Sequence, residues 1–512
     1  MKIISSARRF LAALVLAGAW GQIPALWVSD CSAEAADATA PGDGHQTTTY
    51  SRLVDGTFSG HKETALVELS LRMKDTPKNR GNRIRGGKMP ASGLVYFGQF
   101  IDHDLTRDET NLMDAGKPPK DRTNLRTPRL DLDSLYGDGP GGKLKLYDDN
   151  VPADRARFVL SETEPNGENH PSTMDDLPRI QGIAVLGDDR NEENLILAQL
   201  HVAFLQFHNQ VLDCFLNNQI PDPAKYGTTP FERARRFVTW HYQYLVFNEF
   251  LPTIVHDDVW NIKDDPSWRL FKPTVNENVA IPVEFTHAAF RFGHSMVQRD
   301  YSLRGEGVTP LLDLVRKTPR GKPTPQLRAN QVIRWPSFLS AAHPRNIAEN
   351  IDTLITRAMY NLPEASIAIF WGGKVVMSID IPVPAITLVR GSKIGLPSGQ
   401  EMCTAYHILP MNDAQVALNP KTRNFLEERD MLRRTPLWYY ILREAEVLGA
   451  KSEERKQNHL GGECLGPVGS RLVMDVLLGA LEADGESYLV KDRNWSPPEF
   501  DCPADKKWQL NT

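Results

Sequence analysis

An apolar run, Leu94-Val95-Tyr96-Phe97, leads directly into Gly98-Gln99-Phe100-Ile101-Asp102-His103-Asp104. The segment from Gly93 to Leu105 has helical length and no internal proline, which predicts a helix. On that helix Gln99, Asp102 and His103 share one face, because residues three and four apart are neighbours. Burying an amide, a carboxylate and an imidazole there is costly. The face therefore indicates either a functional site or a core histidine held by a carboxylate.

Polar residues of the same kind recur in three later stretches. They are Leu130-Asp131-Leu132-Asp133-Ser134-Leu135-Tyr136-Gly137, Gly187-Asp188-Asp189-Arg190-Asn191-Glu192-Glu193-Asn194 and Phe290-Arg291-Phe292-Gly293-His294. Two histidines and an arginine between them are the parts that peroxide chemistry on haem requires. One neutral imidazole ligates the iron. The other takes a proton from peroxide, and a fixed cation polarises the O–O bond.

Composition points to an ordinary globular protein. The chain has 512 residues, 41% hydrophobic and 24% charged, with a net charge of −5. A sequence pI of 6.3 gives no electrostatic case for a nucleic-acid partner. Five cysteines (Cys31, Cys214, Cys403, Cys464 and Cys502) show no metal-binding spacing, so bridges and free thiols both stay open.

The N-terminus is typical of an export signal. Lys2, Arg8 and Arg9 precede a short apolar core from Phe10 to Trp20, too short to span a bilayer comfortably. We expect a signal peptide at 1–36, a flexible segment at 37–50, one domain at 51–495 and a tail at 496–512. The mature protein would be secreted or periplasmic with no membrane span. An uncleaved anchor is the alternative, and the choice between the general and twin-arginine routes stays open.

The hydrophobic pattern predicts a mainly α protein, a single large helical domain with long irregular loops and few short strands. Besides Gly93 to Leu105, expected helices run from an N-cap at Asp189 or Asn191 to Asn217, and over 231–250, 285–298, 347–360, 436–448 and 467–481. Residues 304–330 are predicted to be a basic, solvated loop. Ile367 to Ile379, with Gly372-Gly373 inside, is predicted to be a hairpin.

The ordered set of motifs resembles the animal-type haem peroxidases of the peroxidase–cyclooxygenase superfamily. Residues 98–104 look like the distal-histidine signature, 187–194 like the arginine motif, 290–294 like the proximal-histidine motif and 130–137 like the calcium loop. Residues 390–391, 395–400 and 435–440 resemble its bacterial, peroxinectin-like members. The likeness runs from about residue 50 to 490.

The resemblance implies a role for each matching residue. His103 would be the distal acid–base, Arg190 its partner in cleaving the O–O bond, and Gln99 a residue of the distal pocket. His294 would ligate the haem iron, and Arg291 would pair with a haem propionate through a two-pronged grip.

Asp102 and Glu193 stand where relatives form ester links to haem. Haem b and ester-linked haem therefore both stay open, and the carboxylates could instead pair with Arg190 or water. The family's usual proximal asparagine is replaced by Thr387. A hydroxyl is shorter than an amide and both donates and accepts, which leaves the tuning of the iron open.

Five residues match the family's calcium ligands, through side chains or, for Arg129, the carbonyl. They are Asp104, Thr127, Arg129, Asp131 and Asp133. Calcium prefers several hard oxygen ligands, and a solvated Asp-x-Asp turn is the alternative. His201 and His208 share a helix face, and we expect them to be structural.

The resemblance implies a secreted enzyme that reduces hydrogen peroxide through an oxyferryl intermediate, as in responses to oxidative stress. Its reductants would be phenolic or other aromatic donors, halides or thiocyanate. A fatty-acid dioxygenase is an alternative, but that branch needs a tyrosine where Arg291 stands. An adhesive or matrix-binding protein on the same fold is another, although the sequence has no Arg-Gly-Asp. A non-haem metal site on residues 102–104 would leave His294 and Arg190 unexplained.

Overall fold

The computed structural model describes residues 47–498, except 57, 59, 81–87, 111, 113, 166–173, 340–342, 363–367, 372–373, 378–381, 418 and 459. The expected signal peptide and most of the expected C-terminal tail lie outside these residues. Among the described helices, none has both the length and the apolar character to cross a membrane.

Helices dominate, which confirms the mainly α class. The α-helices are α1 (Glu63–Arg72), α2 (Pro77–Arg80), α3 (Gly93–Leu105), α4 (Asp133–Tyr136), α5 (Leu195–Leu216), α6 (Pro230–Leu245), α7 (Leu251–Ile254), α8 (Asp257–Trp260), α9 (Val283–His287), α10 (Gly293–Met296), α11 (Leu311–Lys317), α12 (Trp335–Phe338), α13 (Val383–Ile394), α14 (Gly399–Ala405), α15 (Asp413–Val416), α16 (Pro420–Glu428), α17 (Leu437–Leu448), α18 (Glu453–Gln457), α19 (Pro467–Ala483) and α20 (Tyr488–Lys491).

Shorter helical turns join them. The 3₁₀ segments are Pro119–Asp121, Ala153–Arg155, Asp189–Glu192, Pro223–Lys225, Pro266–Trp268, Ala289–Phe292, Ala329–Gln331, Pro344–Asn346 and Arg357–Tyr360, and Val246–Phe250 is a π-helical turn. The π turn links α6 to α7, so the predicted helix over 231–250 continues to Ile254.

The described strands pair only as two-stranded antiparallel ribbons. They are β1 (Thr48–Thr49) with β2 (Thr123–Asn124), β3 (Ser161–Glu162) with β4 (Asp175–Asp176), β5 (Arg179–Ile180) with β6 (Ile183–Ala184), β7 (Asp300–Tyr301) with β8 (Thr309–Pro310), and β9 (Ala368–Trp371) with β10 (Lys374–Met377). The predicted hairpin is thus present, and its Gly372-Gly373 turn lies outside the described residues.

The core that supports the site lies where α3 packs against α5, and α5 against α6. Phe100 of α3 stacks on Phe204 of α5 with ring centroids 4.9 Å apart, and Tyr242 of α6 meets both rings edge-on. Phe100 is completely buried by these contacts. The opposite side of α3 is thereby held in a fixed orientation.

The helix expected over 347–360 is wrong, apart from a last 3₁₀ turn. Residues 347–356 form a mostly buried, irregular segment whose backbone hydrogen-bonds to distant segments. Ile351 N–H donates to Gly462 O at 2.9 Å, and Ile355 N–H to Met73 O at 2.7 Å. Long-range backbone pairing has replaced the helical hydrogen bonds that the apolar spacing suggested.

The continuous helix expected over 285–298 is also wrong, because it breaks at Ala288 (φ −137°, ψ −69°). Side chains donate hydrogen bonds to backbone carbonyls around the break. Arg291 Nε donates to Thr286 O, and Trp438 Nε1 donates to Arg291 O, each at 3.0 Å. The break gives α10, the short helix of His294, an axis independent of α9.

Two further expectations are corrected. The long helix α5 is capped by Asn194, whose side chain accepts from Leu197 N–H, and not by Asp189 or Asn191. The predicted loop at 304–330 contains α11, which buries Leu311, Leu314 and Val315 on one face.

Candidate active site

A cavity of about 360 Å³ lies at the centre of the site, within the range that ligand pockets occupy. It brings together residues from seven separate stretches of chain. Those predicted from the sequence are Gln99, Asp102, His103, Arg190, Glu193, Arg291, His294 and Thr387.

His103 lies on α3 and is only 4% exposed. Its Nδ1 lies 2.9 Å from Asn191 Oδ1, and its Nε2 lies 3.9 Å from Glu193 Oε2. Burial, together with the Arg190 charge, lowers the pKa of His103 to about 3. The imidazole is therefore neutral at physiological pH. A proton on Nδ1, donated to Asn191, leaves Nε2 free to accept one.

Arg190 is fixed from two sides. Its guanidinium donates to the His103 carbonyl at 3.0 Å and to both oxygens of Asp188, at 3.0 and 2.7 Å. Asp188 is fully buried and also pairs with Arg126 at 3.1 Å. Although burial opposes it, Arg190, Arg126 and Arg107 hold the pKa of Asp188 well below its usual range. These contacts hold the Arg190 guanidinium in a fixed position at this side of the cavity.

Gln99 joins Glu193 to Asn194. Its Nε2 donates to Glu193 Oε2 at 3.3 Å, and its Oε1 accepts from Asn194 Nδ2 at 3.2 Å. Burial raises the pKa of Glu193 to about 7. Asp102 accepts from the Thr106 hydroxyl at 3.1 Å, and burial raises its pKa as well. Both carboxyls line the cavity.

His294 is held by packing. Its ring meets Trp438 edge-on with centroids 6.0 Å apart. Nδ1 is buried, and no residue in the described part of the chain hydrogen-bonds it. Burial and the Arg291 charge lower the pKa of His294 to about 3. A neutral imidazole without a protein partner is suited to ligate a metal.

Two guanidinium groups line the cavity without a carboxylate partner. Arg291 and Arg390 bond only backbone carbonyls, those of Thr286 and Thr110, and neither forms an ion pair with a residue that the structure describes. Burial lowers the pKa of Arg390 to about 10. Arg291 and Arg390 are both half-buried. Cations without a carboxylate partner in a cavity are costly, so this end of the cavity suits a ligand that carries its own carboxylates.

Thr387 does not replace the missing asparagine. Its hydroxyl donates to Val383 O at 3.0 Å, one turn back along α13. This use of the hydroxyl within its own helix leaves His294 Nδ1 without a partner on this side.

The expected calcium ligands lie together beside α3. Carboxylate oxygens of Asp104, Asp131 and Asp133 all lie within 4.8 Å of one another. The Thr127 hydroxyl lies 2.7 Å from Asp131 Oδ1, and Asp133 Oδ1 is buried without a hydrogen-bond partner in the described structure. Burial, then Asp133 and Asp131, raises the pKa of Asp104 well above its usual range. Arg129 lies in the same loop, half-buried.

Several functional candidates were missed from the sequence. No site role was predicted for Asp188, Arg320, Arg390 or Asn191, the last of which was considered only as a helix N-cap. Arg320, expected in a solvated loop, lies 2.6 Å from Asp189 and 3.8 Å from Glu193 and lines the cavity. Only Arg390 carried a signal that could have been used: it stands three residues after Thr387, on the same face of α13.

The profile of the family described as animal haem peroxidase matches residues 113–415. The chain belongs to this family. The matched range holds the arginine motif, the proximal motif and the whole calcium loop, while His103 and Asp104 lie before it. A peroxidase-like protein of Margaritifera margaritifera is 25% identical over 43% of this chain and 33% of its own length. The chain spans a third or less of the first curated relatives it matches.

Solved structures show the same animal haem peroxidase fold at low identity. Peroxidase A from Dictyostelium discoideum superposes with a TM-score of 0.57 and 16% identity, over 90% of this chain and 94% of that one. A fatty acid alpha-dioxygenase from Oryza sativa gives 0.54 and 13%, over 95% and 86%. These likenesses concern the fold alone.

The residues fit the haem that this family implies. One cavity is lined by His294, by His103 beside the anchored Arg190, and by Arg291 and Arg390. Within the described part of the chain, His294 Nδ1 has no hydrogen-bond partner and the last two arginines have no acid partner. These residues match a flat iron-containing group with two carboxylates.

Proposed function

We propose that this protein is a haem peroxidase that reduces hydrogen peroxide and oxidises small donors. The observation that carries the proposal is the cavity shared by His103, Arg190 and His294. Arg291 and Arg390 line the same cavity, and no acid of the described chain pairs with either. Family membership supports the proposal. The three distant stretches that supply His103, Arg190 and His294 carry the groups that peroxide cleavage needs.

The chain would hold haem through residues of two kinds. His294 would ligate the iron, and Arg291 and Arg390 would bind the propionates in charge-assisted hydrogen bonds. Asp102 and Glu193 line the same cavity, so ester links to the haem are chemically open to both. Haem, when bound, supplies the iron that takes up the oxidising equivalents of peroxide.

His103 would move the proton. Its Nε2 would take a proton from one peroxide oxygen and return it to the other as the O–O bond breaks. Arg190, held by Asp188, would stabilise the negative charge that develops on the departing oxygen. Because burial keeps His103 neutral, the base is available over the physiological range.

We further propose that the loop around Asp104 binds calcium. The donors are hard oxygens, as calcium prefers. Asp133 Oδ1 is buried, and no described residue hydrogen-bonds it, which supports a role as a cation ligand. Asp104 directly follows His103, so the ion would tie α3 to the loop at Asp131 and Asp133. Thr127 and the Arg129 carbonyl would complete the set.

The donors would be phenols or other aromatics, halides or thiocyanate, and the enzyme would act outside the cytoplasm. Cys214 is disulfide-bonded, while Cys403 and Cys464 are free. A disulfide favours an oxidising compartment, which agrees with the signal-like N-terminus.

A second candidate is a fatty-acid dioxygenase, because a rice enzyme of that name shares the fold. That chemistry needs a radical-forming tyrosine beside the proximal histidine, and Arg291 occupies the expected position. An adhesive role on the same fold is a third possibility, and it would need no haem.

The test compares three activities of the haem-loaded protein. We expect hydrogen-peroxide-dependent oxidation of guaiacol or thiocyanate, and no oxygen uptake with palmitate. Oxygen uptake with palmitate and no peroxide-dependent oxidation would favour the dioxygenase. Neither activity, with cell binding by haem-free protein, would favour the adhesive role.

A further inference from the structure

His103 is the first member of a buried row of three side chains. Its Nδ1 lies 2.9 Å from Asn191 Oδ1, and Asn191 Nδ2 lies 3.1 Å from Nδ1 of His201. Asn191 and His201 are both completely buried. The row runs from the cavity wall into the core beneath α5, where water cannot substitute for a lost partner.

The Asn191 amide has a different group at each end. An amide oxygen can only accept a hydrogen bond, and an amide nitrogen can only donate. With Oδ1 facing His103, the His103 proton must lie on Nδ1, and His201 must accept through its own Nδ1. If the amide turned over, His103 would carry its proton on Nε2 and present a donor to the cavity instead of a base.

His201 has the properties this arrangement needs. It lies on α5, its ring meets Phe100 of α3 edge-on at 6.2 Å, and this contact limits its rotation. Burial lowers the pKa of His201 to about 3, so the ring stays neutral and keeps one nitrogen as an acceptor.

We propose that His201 is a positioning residue for the peroxide reaction: by accepting from Asn191 Nδ2, it holds Asn191 Oδ1 toward His103 and keeps Nε2 of His103 free of its proton. The inference rests on the proposed function, because it concerns the base that this function requires. His201 itself touches neither the cavity nor a reacting atom.

The test uses two small ligands of the haem-loaded protein. Hydrogen cyanide must give up its proton on binding ferric haem and so needs the base. Carbon monoxide binds ferrous haem without a proton transfer and reports only on the cavity. In His201→Phe we expect cyanide association to slow about 10-fold, the value of one hydrogen bond, with carbon monoxide association unchanged.

Two further variants sharpen the result. Adding Asn191→Asp to His201→Phe should restore the cyanide rate, because an ionised carboxylate can only accept from His103. His208→Phe is the matched control: His208 is buried on the same helix but bonds the Tyr136 hydroxyl at 3.1 Å. It should leave both rates unchanged. If His201→Phe does not fold, His201→Met removes the same acceptor with a more adaptable side chain.

The inference is overturned if His201→Phe binds cyanide at the wild-type rate, if both ligands slow equally, or if Asn191→Asp gives no rescue. Failure of the proposed function looks different. In that case the wild type would take up no haem, or would take up haem and not react with hydrogen peroxide.

Discussion

The two histidines that line the cavity, His103 and His294, are held in different ways. His103 is tied at Nδ1 to Asn191, and its backbone carbonyl accepts from Arg190. His294 is positioned by Trp438 and by the break in the chain before it, and no described residue bonds its Nδ1. Hydrogen bonds from described residues thus fix His103, whereas packing and the chain break position His294.

The largest expected effect follows from replacing His294. His294→Ala should lose haem, because packing alone offers the iron no ligand. The haem-to-protein ratio after gel filtration measures this. His407→Asn is the control, since His407 is exposed and has a positive φ of 55° that asparagine tolerates. Retention of haem by His294→Ala at the control level would show that another residue is the ligand.

Replacing His103 should spare haem and remove the chemistry. We expect His103→Gln to keep the absorption spectrum and to react with hydrogen peroxide about 10²- to 10⁴-fold more slowly, the usual contribution of a positioned base. Stopped-flow absorbance at the Soret band gives the rate. An unchanged rate would mean that the base lies elsewhere.

Calcium removal should destabilise α3, which carries His103, more than the segment that carries His294. The reason is that Asp104, a proposed calcium ligand, lies on α3. Saturating calcium, at about 1,000 times its Kd, would stabilise the fold by about 4 kcal/mol. Thermal unfolding with a chelator and with calcium added back measures this.

Asp131→Asn should lower the calcium-dependent rise in Tm, whereas Asp149→Asn, at an exposed Asp paired with Lys145, should not. Equal responses of these two variants would place the ion somewhere other than the Asp104 loop.

The buried carboxyl of Glu193 should make stability depend on pH. Burial raises its pKa from 4.5 to about 7, so the folded protein holds a proton that the unfolded chain releases. Stability from this group is full below pH 4.5 and falls as the pH rises to about 7. Relative to wild type, Glu193→Gln should gain up to about 3 kcal/mol over that range.

Urea unfolding of the haem-free protein at pH 4.5, 6 and 8 checks the Glu193 effect. Exposed Glu454→Gln serves as the control. A difference between Glu193→Gln and wild type that stays constant with pH would contradict the raised pKa.

The smallest effect concerns Thr387. Thr387→Asn would offer His294 Nδ1 an acceptor, making the imidazole more basic and stabilising ferric iron. One hydrogen bond of about 1 kcal/mol lowers the midpoint potential by roughly 40 mV. Spectroelectrochemistry measures it. A potential unchanged from wild type would place Thr387 out of reach of the ring.

The sequence alone located the polar site residues where their spacing places them on one helix face or in one loop. The helix from Gly93 to Leu105 was predicted with its observed ends, and the motifs around Arg190 and His294 do meet it in one cavity. The roles of Asn191 and Asp188 were missed because they depend on the direction in which the 3₁₀ segment orients these two side chains. That orientation is set by packing against α3 and not by local pattern.

Two predictions were wrong for the same reason: the helix over 347–360 and the solvated position of Arg320. Apolar spacing cannot show that Ile351 and Ile355 pair with distant backbone. Nor can a run of basic residues show which one turns inward to Asp189. Both features are decided by partners more than a hundred residues away along the chain.

The most direct test of the account is the absorption spectrum of the protein after haem is supplied, before and after acid-acetone extraction. We predict a Soret band at roughly 400–430 nm, as in haem proteins generally. A band that stays with the protein after extraction would add ester links at Asp102 or Glu193, and one that extracts fully would remove them. No Soret band at all would contradict the central claim that the cavity between His103 and His294 holds haem.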